Sequence, residues 1–101
     1  MISVNIERKS NSICGFTVKN HGSSKVCAAV SVLTLNTVNS IEAMTDEVFS
    51  YDYKPEGGFL KWERSGNDPK ASLLLDTMVL GLKSIEETYS NEIKIKDDKH
   101  D

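Results

Sequence analysis

From Val26 to Met44 the chain runs for 19 residues without a glycine or a proline, and no other feature constrains the fold as much. Strands in globular proteins seldom exceed about 10 residues, so a strand of this length would be exceptional. Val26, Val30, Leu33, Thr37 and Ile41 instead recur at the spacing of one helix face. The spacing therefore predicts a helix, because the β-branched residues oppose helix formation only weakly. Ala28, Val32 and Leu35 fall off that stripe, so the helix has further apolar surface for a second helix or a partner chain to cover.

Around this helix the hydrophobic period changes to two. Ile2 to Ile6 alternate apolar and polar, and Cys14, Phe16 and Val18 alternate again after the polar stretch from Lys9 to Ser12, which predicts an opening β-hairpin with Cys14 as a core thiol. A second hairpin is expected where Val48–Tyr53 and Phe59–Trp62 flank the turn residues Pro55-Glu-Gly-Gly. Its aromatic residues Phe49, Tyr51, Tyr53, Phe59 and Trp62 are expected in its core, with some able to line an apolar peptide pocket. Asp68 is the expected N-cap of a second helix, with Pro69 at its first position and Ala71, Leu74, Leu75, Met78, Leu82, Ile85 and Tyr89 along one stripe. Asn91 can end it, and Ile93 and Ile95 form a last short strand. The order is ββαββαβ, an α+β fold in which two helices cover one face of a mixed sheet. One domain is expected over residues 1–96, followed by a polar tail at 97–101.

A chain of 101 residues is long enough for one modest core. With 12 basic and 15 acidic residues its net charge is −3, which gives no electrostatic footprint for phosphate backbones and argues against nucleic acid as a direct ligand. The start Met1-Ile-Ser-Val-Asn-Ile lacks the basic flank and long apolar run of a secretory signal, and no stretch is read as a membrane span, so a cytoplasmic protein is expected. Cys14 and Cys27 are then expected as free thiols. No cofactor is expected, since no metal-binding spacing is present and the cluster of His100 with Asp97, Asp98 and Asp101 reads as a solvated tail. Glu86 and Glu87 read as a solvated helix face.

Cys27 falls in the first turn of the first helix, just after two candidate caps, Ser23 and Ser24. Partial positive charge and unpaired N–H groups at a helix start favour a thiolate and can hold an oxyanion. Taken alone, a cysteine here is more often a small buried hydrophobe. His21, however, lies six residues earlier, so histidine and cysteine bracket one short loop, Gly22-Ser-Ser-Lys-Val. An imidazole within reach of a thiol can take its proton and return it to a leaving amine, as cysteine hydrolysis requires. Spacing alone leaves His21 open between that role and an exposed loop residue.

Gly15-Phe16, His21 and Cys27-Ala-Ala-Val-Ser31 resemble the signature of the ribosomal-processing cysteine protease (Prp) family, also described as YsxB-like. The resemblance extends to Asn39-Ser-Ile, Gly57-Gly58-Phe59 and the run from Leu75 to Tyr89, and so covers nearly the whole chain. It implies a peptidase that removes an N-terminal extension from a large-subunit ribosomal protein precursor, cutting after an aromatic residue. It also implies a homodimer. By position, Cys27 is the implied nucleophile and His21 the general base and acid. Ser31, one turn on, is placed to orient the thiol or a substrate carbonyl, with a core-facing residue as the alternative; Gly22 and Ala28 are further supporting candidates. The chain departs from the family pattern at Asn20, where the family has glycine, at Ser24, where it has Asp, and in a loop about half the usual length. Those departures motivate a second reading, a noncatalytic ribosome-associated binding protein with the same fold.

Overall fold

The computed structural model describes residues 1–97, and the cluster of His100, Asp98 and Asp101 lies outside them. Two strands, β1 (Ile2–Lys9) and β2 (Ser12–Lys19), form the first hairpin, and α1 (Ser24–Met44) follows. A second hairpin pairs β3 (Phe49–Lys54) with β4 (Phe59–Arg64) across a 3-10 turn at Pro55–Gly57, and α2 (Pro69–Thr88) and β5 (Ile93–Asp97) complete the chain. The strands make one sheet in the order β3-β4-β2-β1-β5, antiparallel except for the parallel pair β1 and β5. This is the mixed sheet and the element order that the periodicities predict.

Alternation along the strands divides the sheet into an apolar and a polar face. Ile2, Val4, Ile6, Phe16, Val18, Leu60, Trp62 and Ile93 are buried with the helices, while Asn5, Lys61, Glu63 and Lys94 are exposed. Phe16 stacks on Trp62 at 5.7 Å between ring centroids, and Phe49 meets the same indole at 5.5 Å, each contact contributing about 0.5–1.5 kcal/mol beyond burial. Trp62 is thus hairpin core, as expected, but Tyr51 and Tyr53 are 58% and 45% exposed. They lie on β3, an edge strand exposed throughout from Ser50 to Lys54.

Ser23 caps α1, its hydroxyl accepting the Val26 N–H at 3.4 Å. Val26, Val30, Thr34, Thr37, Val38 and Ile41 form the buried face. Leu33 is half-buried against α2, where a β-carbon on Gly81 would come 2.7 Å from its Cδ2, so the missing side chain allows the helices to approach. The expectation that no stretch approaches a membrane span does not hold for this helix. The 21 residues of α1 include an 18-residue stretch of mean hydropathy 1.3, long and apolar enough to cross one, because no charged residue falls between Lys25 and Glu42. In this fold it packs on α2 and buries one face in the core.

Cys14 is a second correction. Glu7 pairs with Gly15 but Arg8 pairs with Ile13, so Cys14 is the extra residue of a β-bulge. Past the bulge the alternation inverts, Ile13 takes the core position at 1% exposed, and Cys14 is only half-buried, its thiol donating to the Glu7 carbonyl at 3.5 Å.

Four carboxylates tie neighbouring segments together. Glu47 is fully enclosed, and its Oε1 accepts from Arg64 Nε at 2.9 Å, from Arg64 Nη2 and from the Asp68 N–H at 3.0 Å. Asp68 caps α2 as expected, accepting the Lys70 N–H at 2.9 Å and also the Asp46 N–H at 2.8 Å. Asp97, where the sequence reading starts the polar tail, is still strand and takes a forked pair from Arg8 at 2.7 and 3.0 Å. Glu86 is not merely solvated: it is half-buried and accepts the Ile95 N–H at 2.8 Å, while Glu87 is exposed.

Candidate active site

β2 and α1 are joined by the four residues Asn20 to Ser23, which leaves little freedom in how His21 faces Cys27. Asn20 makes the turn at φ +70°, in the left-handed region that asparagine enters more readily than most residues after glycine. That requirement gives a physical reason for the glycine expected here from the family pattern and for asparagine as its replacement. Ser23, rather than Ser24, is the cap, and Cys27 follows in the first turn of α1.

The Cys27 sulfur lies 3.6 Å from His21 Nδ1. The other ring nitrogen, Nε2, lies 3.1 Å from the main-chain carbonyl of Glu56. A carbonyl only accepts, so this contact holds the proton on Nε2 and leaves the Nδ1 lone pair facing the thiol. After proton transfer the imidazolium still satisfies both partners, donating from Nε2 to Glu56 and from Nδ1 to the thiolate. The Gly22 N–H donates to the same sulfur at 3.2 Å, a contact that gains strength as negative charge develops there.

Glu56 reaches His21 because the β3–β4 turn docks on the loop. Asn20 N–H donates to the Gly57 carbonyl at 3.3 Å, and Gly58, at φ +61°, closes the turn through its N–H to the Pro55 carbonyl at 3.1 Å. Turn chemistry is readable in Pro55-Glu-Gly-Gly, but its docking on a histidine 35 residues away is not. The Glu56 carbonyl is thus a main-chain contact to His21 that the sequence did not single out.

A cavity of about 90 Å³ opens over the sulfur, walled by Ile2, Val18, Val30 and Tyr53 and edged by His21, Cys27 and Ser31. Ser31 is exposed on this cavity, not core-facing, whereas Ala28 is exposed and outside its lining. Tyr53 realises the expectation that a hairpin aromatic can line an apolar pocket. Cys14 sits at the opposite end of β2, and both cysteines are free.

The helix start offers fewer oxyanion donors than a bare helix end. The Cys27 N–H is bonded to the Ser23 carbonyl at 2.9 Å and the Val26 N–H to the Ser23 hydroxyl. Among the described residues, the N–H groups of Ser24 and Lys25 have no partner. Glu92, which the sequence pattern does not single out, accepts the Ser23 N–H at 2.7 Å. Its carboxyl is held below the usual carboxylate range, first by the Ser23 hydroxyl and then by that N–H.

A family model described as cysteine protease Prp matches residues 1–94. The ribosomal processing cysteine protease Prp of Staphylococcus aureus is 33% identical over 76 residues, covering 74% of this chain and 72% of the relative. That of Bacillus subtilis is 29% identical over 80 residues, covering 74% and 71%. Among solved structures, an essential ribosomal processing protease Prp from S. aureus in complex with a covalently linked product peptide superposes with a TM-score of 0.90 at 29% identity, over 96% of this chain and 99% of that one. The S. aureus enzyme in complex with a substrate peptide gives 0.89 at 28% identity, with the same coverage.

Proposed function

The chain belongs to the Prp family of cysteine proteases, and from that premise we propose that it is a ribosomal processing endopeptidase that removes the N-terminal extension of a large-subunit ribosomal protein precursor with Cys27 and His21. The observation that carries this reading is the His21 ring, with one nitrogen 3.6 Å from the Cys27 sulfur and the other tied to the Glu56 carbonyl. His21 Nδ1 takes the thiol proton and the thiolate attacks the scissile carbonyl carbon. The Gly22 N–H, already directed at the sulfur, and the unpartnered N–H groups at the helix start are the donors nearest the developing oxyanion. The tetrahedral species collapses to a thioester as His21 Nδ1–H protonates the leaving amine. Water, deprotonated by the same nitrogen, then attacks the thioester and releases the acid and the thiol. Ser31 faces the cavity from α1, where its hydroxyl can meet a substrate carbonyl. The apolar wall of Ile2, Val18, Val30 and Tyr53 suits an apolar side chain next to the cut.

Incubating the protein with a peptide spanning the extension of its host's ribosomal protein, with Cys27→Ala alongside, tests this by mass spectrometry. Cleavage that vanishes with the thiol is expected. Tight binding without cleavage would refute the peptidase and favour the noncatalytic reading. Val32 on α1, 70% exposed, and Leu73 and Leu80 on α2, 66% and 68% exposed, support a homodimer; sedimentation showing only monomer at micromolar concentration would count against it.

A further inference from the structure

Glu92 lies in the turn between α2 and β5, and its main chain is fixed from both sides. Its N–H donates to the Tyr89 carbonyl at 2.9 Å, and its carbonyl accepts the Ile2 N–H at 2.8 Å. From that base the side chain reaches the loop between His21 and Cys27, where Oε1 accepts the Ser23 N–H at 2.7 Å. The two segments are in close contact: a β-carbon on Gly22 would lie 3.3 Å from Glu92 Oε1 and 3.5 Å from Glu92 Cβ. Gly22 therefore has little room for a side chain beside Glu92, and its N–H lies 3.2 Å from the Cys27 sulfur. Ser23 likewise serves two partners, since it caps α1 while its own N–H is held by the carboxylate.

We propose that Glu92 is a positioning residue for the active site: by holding Ser23 and packing on Gly22, it fixes the loop in the geometry that brings Gly22 N–H, the His21 ring and the Cys27 sulfur together. This rests on the His21–Cys27 reading above. The carboxylate does not touch the reacting atoms. Its negative charge opposes a neighbouring thiolate, so its contribution is geometric rather than electrostatic activation. A hydrogen bond from a backbone N–H to an ionised acceptor is roughly twice as strong as a neutral one, which suits a single side chain to the task of holding a loop of four residues. The opposite side of the same loop is held by the β3–β4 turn, through Asn20 and His21.

Full-length wild type, E92Q and E92A separate position from charge. Four quantities are read: Ser23 amide exchange by NMR, kcat and KM for the extension peptide, and the Cys27 alkylation rate by iodoacetamide, resolved from Cys14 by peptide mapping. In E92A, Ser23 exchange accelerates and kcat falls about tenfold, as loss of a charged hydrogen bond implies, while KM stays within about threefold. E92Q retains an amide oxygen for the Ser23 N–H and stays closer to wild type than to E92A in all four quantities. The proposal is overturned if E92A exchanges Ser23 faster yet keeps wild-type kcat and Cys27 alkylation, or if E92Q falls as far as E92A. Failure of the underlying reading has a different signature: wild type itself does not cleave and its Cys27 alkylates no faster than Cys14, which overturns the proposal through its premise. Should E92A not fold, E92Q decides alone, with wild-type exchange and turnover supporting a positional role and a tenfold loss of turnover overturning it.

Discussion

Gly57 and Gly58 are neighbours in one turn, yet the structure assigns them opposite tolerances. A β-carbon on Gly57 meets nothing within 4 Å. On Gly58 it would lie 2.3 Å from the Asn20 carbonyl oxygen and 3.0 Å from His21 Cε1, at a φ of +61°. Gly58→Ala therefore carries two costs. The left-handed backbone disfavours an L-residue by about 1–2 kcal/mol. The contact with Asn20 is backbone against side chain with nothing flexible to yield, so the turn must withdraw by roughly 0.7 Å to reach even the shortest separation that β-carbons tolerate. The Glu56 carbonyl moves with the turn, and His21 loses the acceptor that fixes its tautomer. A misplacement on the order of 1 Å costs about 10²-fold in rate.

The expected result for Gly58→Ala is a loss of about 2 kcal/mol, hence roughly 10 °C in Tm for a domain of this size, with kcat/KM about 100-fold lower. Gly57→Ala is the control. Its effect is neutral to a gain of about 0.4–1 kcal/mol from the stiffer unfolded chain, with wild-type cleavage. Thermal denaturation, peptide cleavage and the His21 nitrogen shifts in NMR read stability, turnover and tautomer separately. A Gly58→Ala protein that loses stability but keeps wild-type kcat/KM and an Nε2–H imidazole would refute the argument, because the turn would then support the fold without setting the histidine.

Arg64→Met leaves the fully enclosed Glu47 carboxylate without its cation and is expected to cost about 3–5 kcal/mol by chemical denaturation; a loss under about 1 kcal/mol would contradict the buried pair. The Arg8 hydrogen bonds hold the Asp97 carboxyl below its usual value, so below neutrality the unfolded chain takes up this proton before the folded one does, and the associated stability is present above the unfolded value of about 3.9 and lost as pH falls through the folded one. Asp97→Asn should therefore be about 1–3 kcal/mol less stable than wild type at pH 7, with the gap closing in strong acid; a gap constant down to pH 2 would exclude this linkage. Cys14→Ser, at a half-buried bulge where a hydroxyl can replace the thiol as donor to Glu7, is expected to change stability by less than about 1 kcal/mol and to leave cleavage intact, whereas a larger loss in a urea titration would restore Cys14 to the core.

The parts of the fold that follow from local period were legible. The run from Val26 to Met44 lies within α1, and Ala71, Leu75, Met78 and Leu82 of the second stripe are buried on α2 as spaced. What escaped depends on partners. The strand pattern that placed Cys14 beside Phe16 is correct for a regular strand, but a bulge is defined by the opposing strand's register, and Glu7 and Arg8 lie seven and six residues away across a turn. Tyr51 and Tyr53 have the same parity as Trp62 across the β3–β4 pairing, yet only the sheet order puts β3 at the edge and leaves them exposed. The absence of charge between Lys25 and Glu42 made α1 as hydrophobic as a membrane span, and the sheet and α2 decide that it is packed instead in a core.

The site divides along the same line. Cys27 and His21 were legible because one short loop carries both, and chain connectivity alone limits how far apart they can lie. The groups that make the pair directional are a main-chain carbonyl 35 residues from His21 and a carboxylate 69 residues from the serine it holds. A carbonyl has no residue type, so residue 56 carries no sign of its role; the requirement appears one step away, as the glycine at 58 that lets the turn approach Asn20. Glu92 has a residue type but no pattern, since one acidic residue in a polar turn resembles any other. A short loop has few internal contacts, so its geometry must be imposed from elements on either side. The hairpin turn and the α2–β5 turn supply those constraints here, and a loop of only four residues keeps His21 and Cys27 paired.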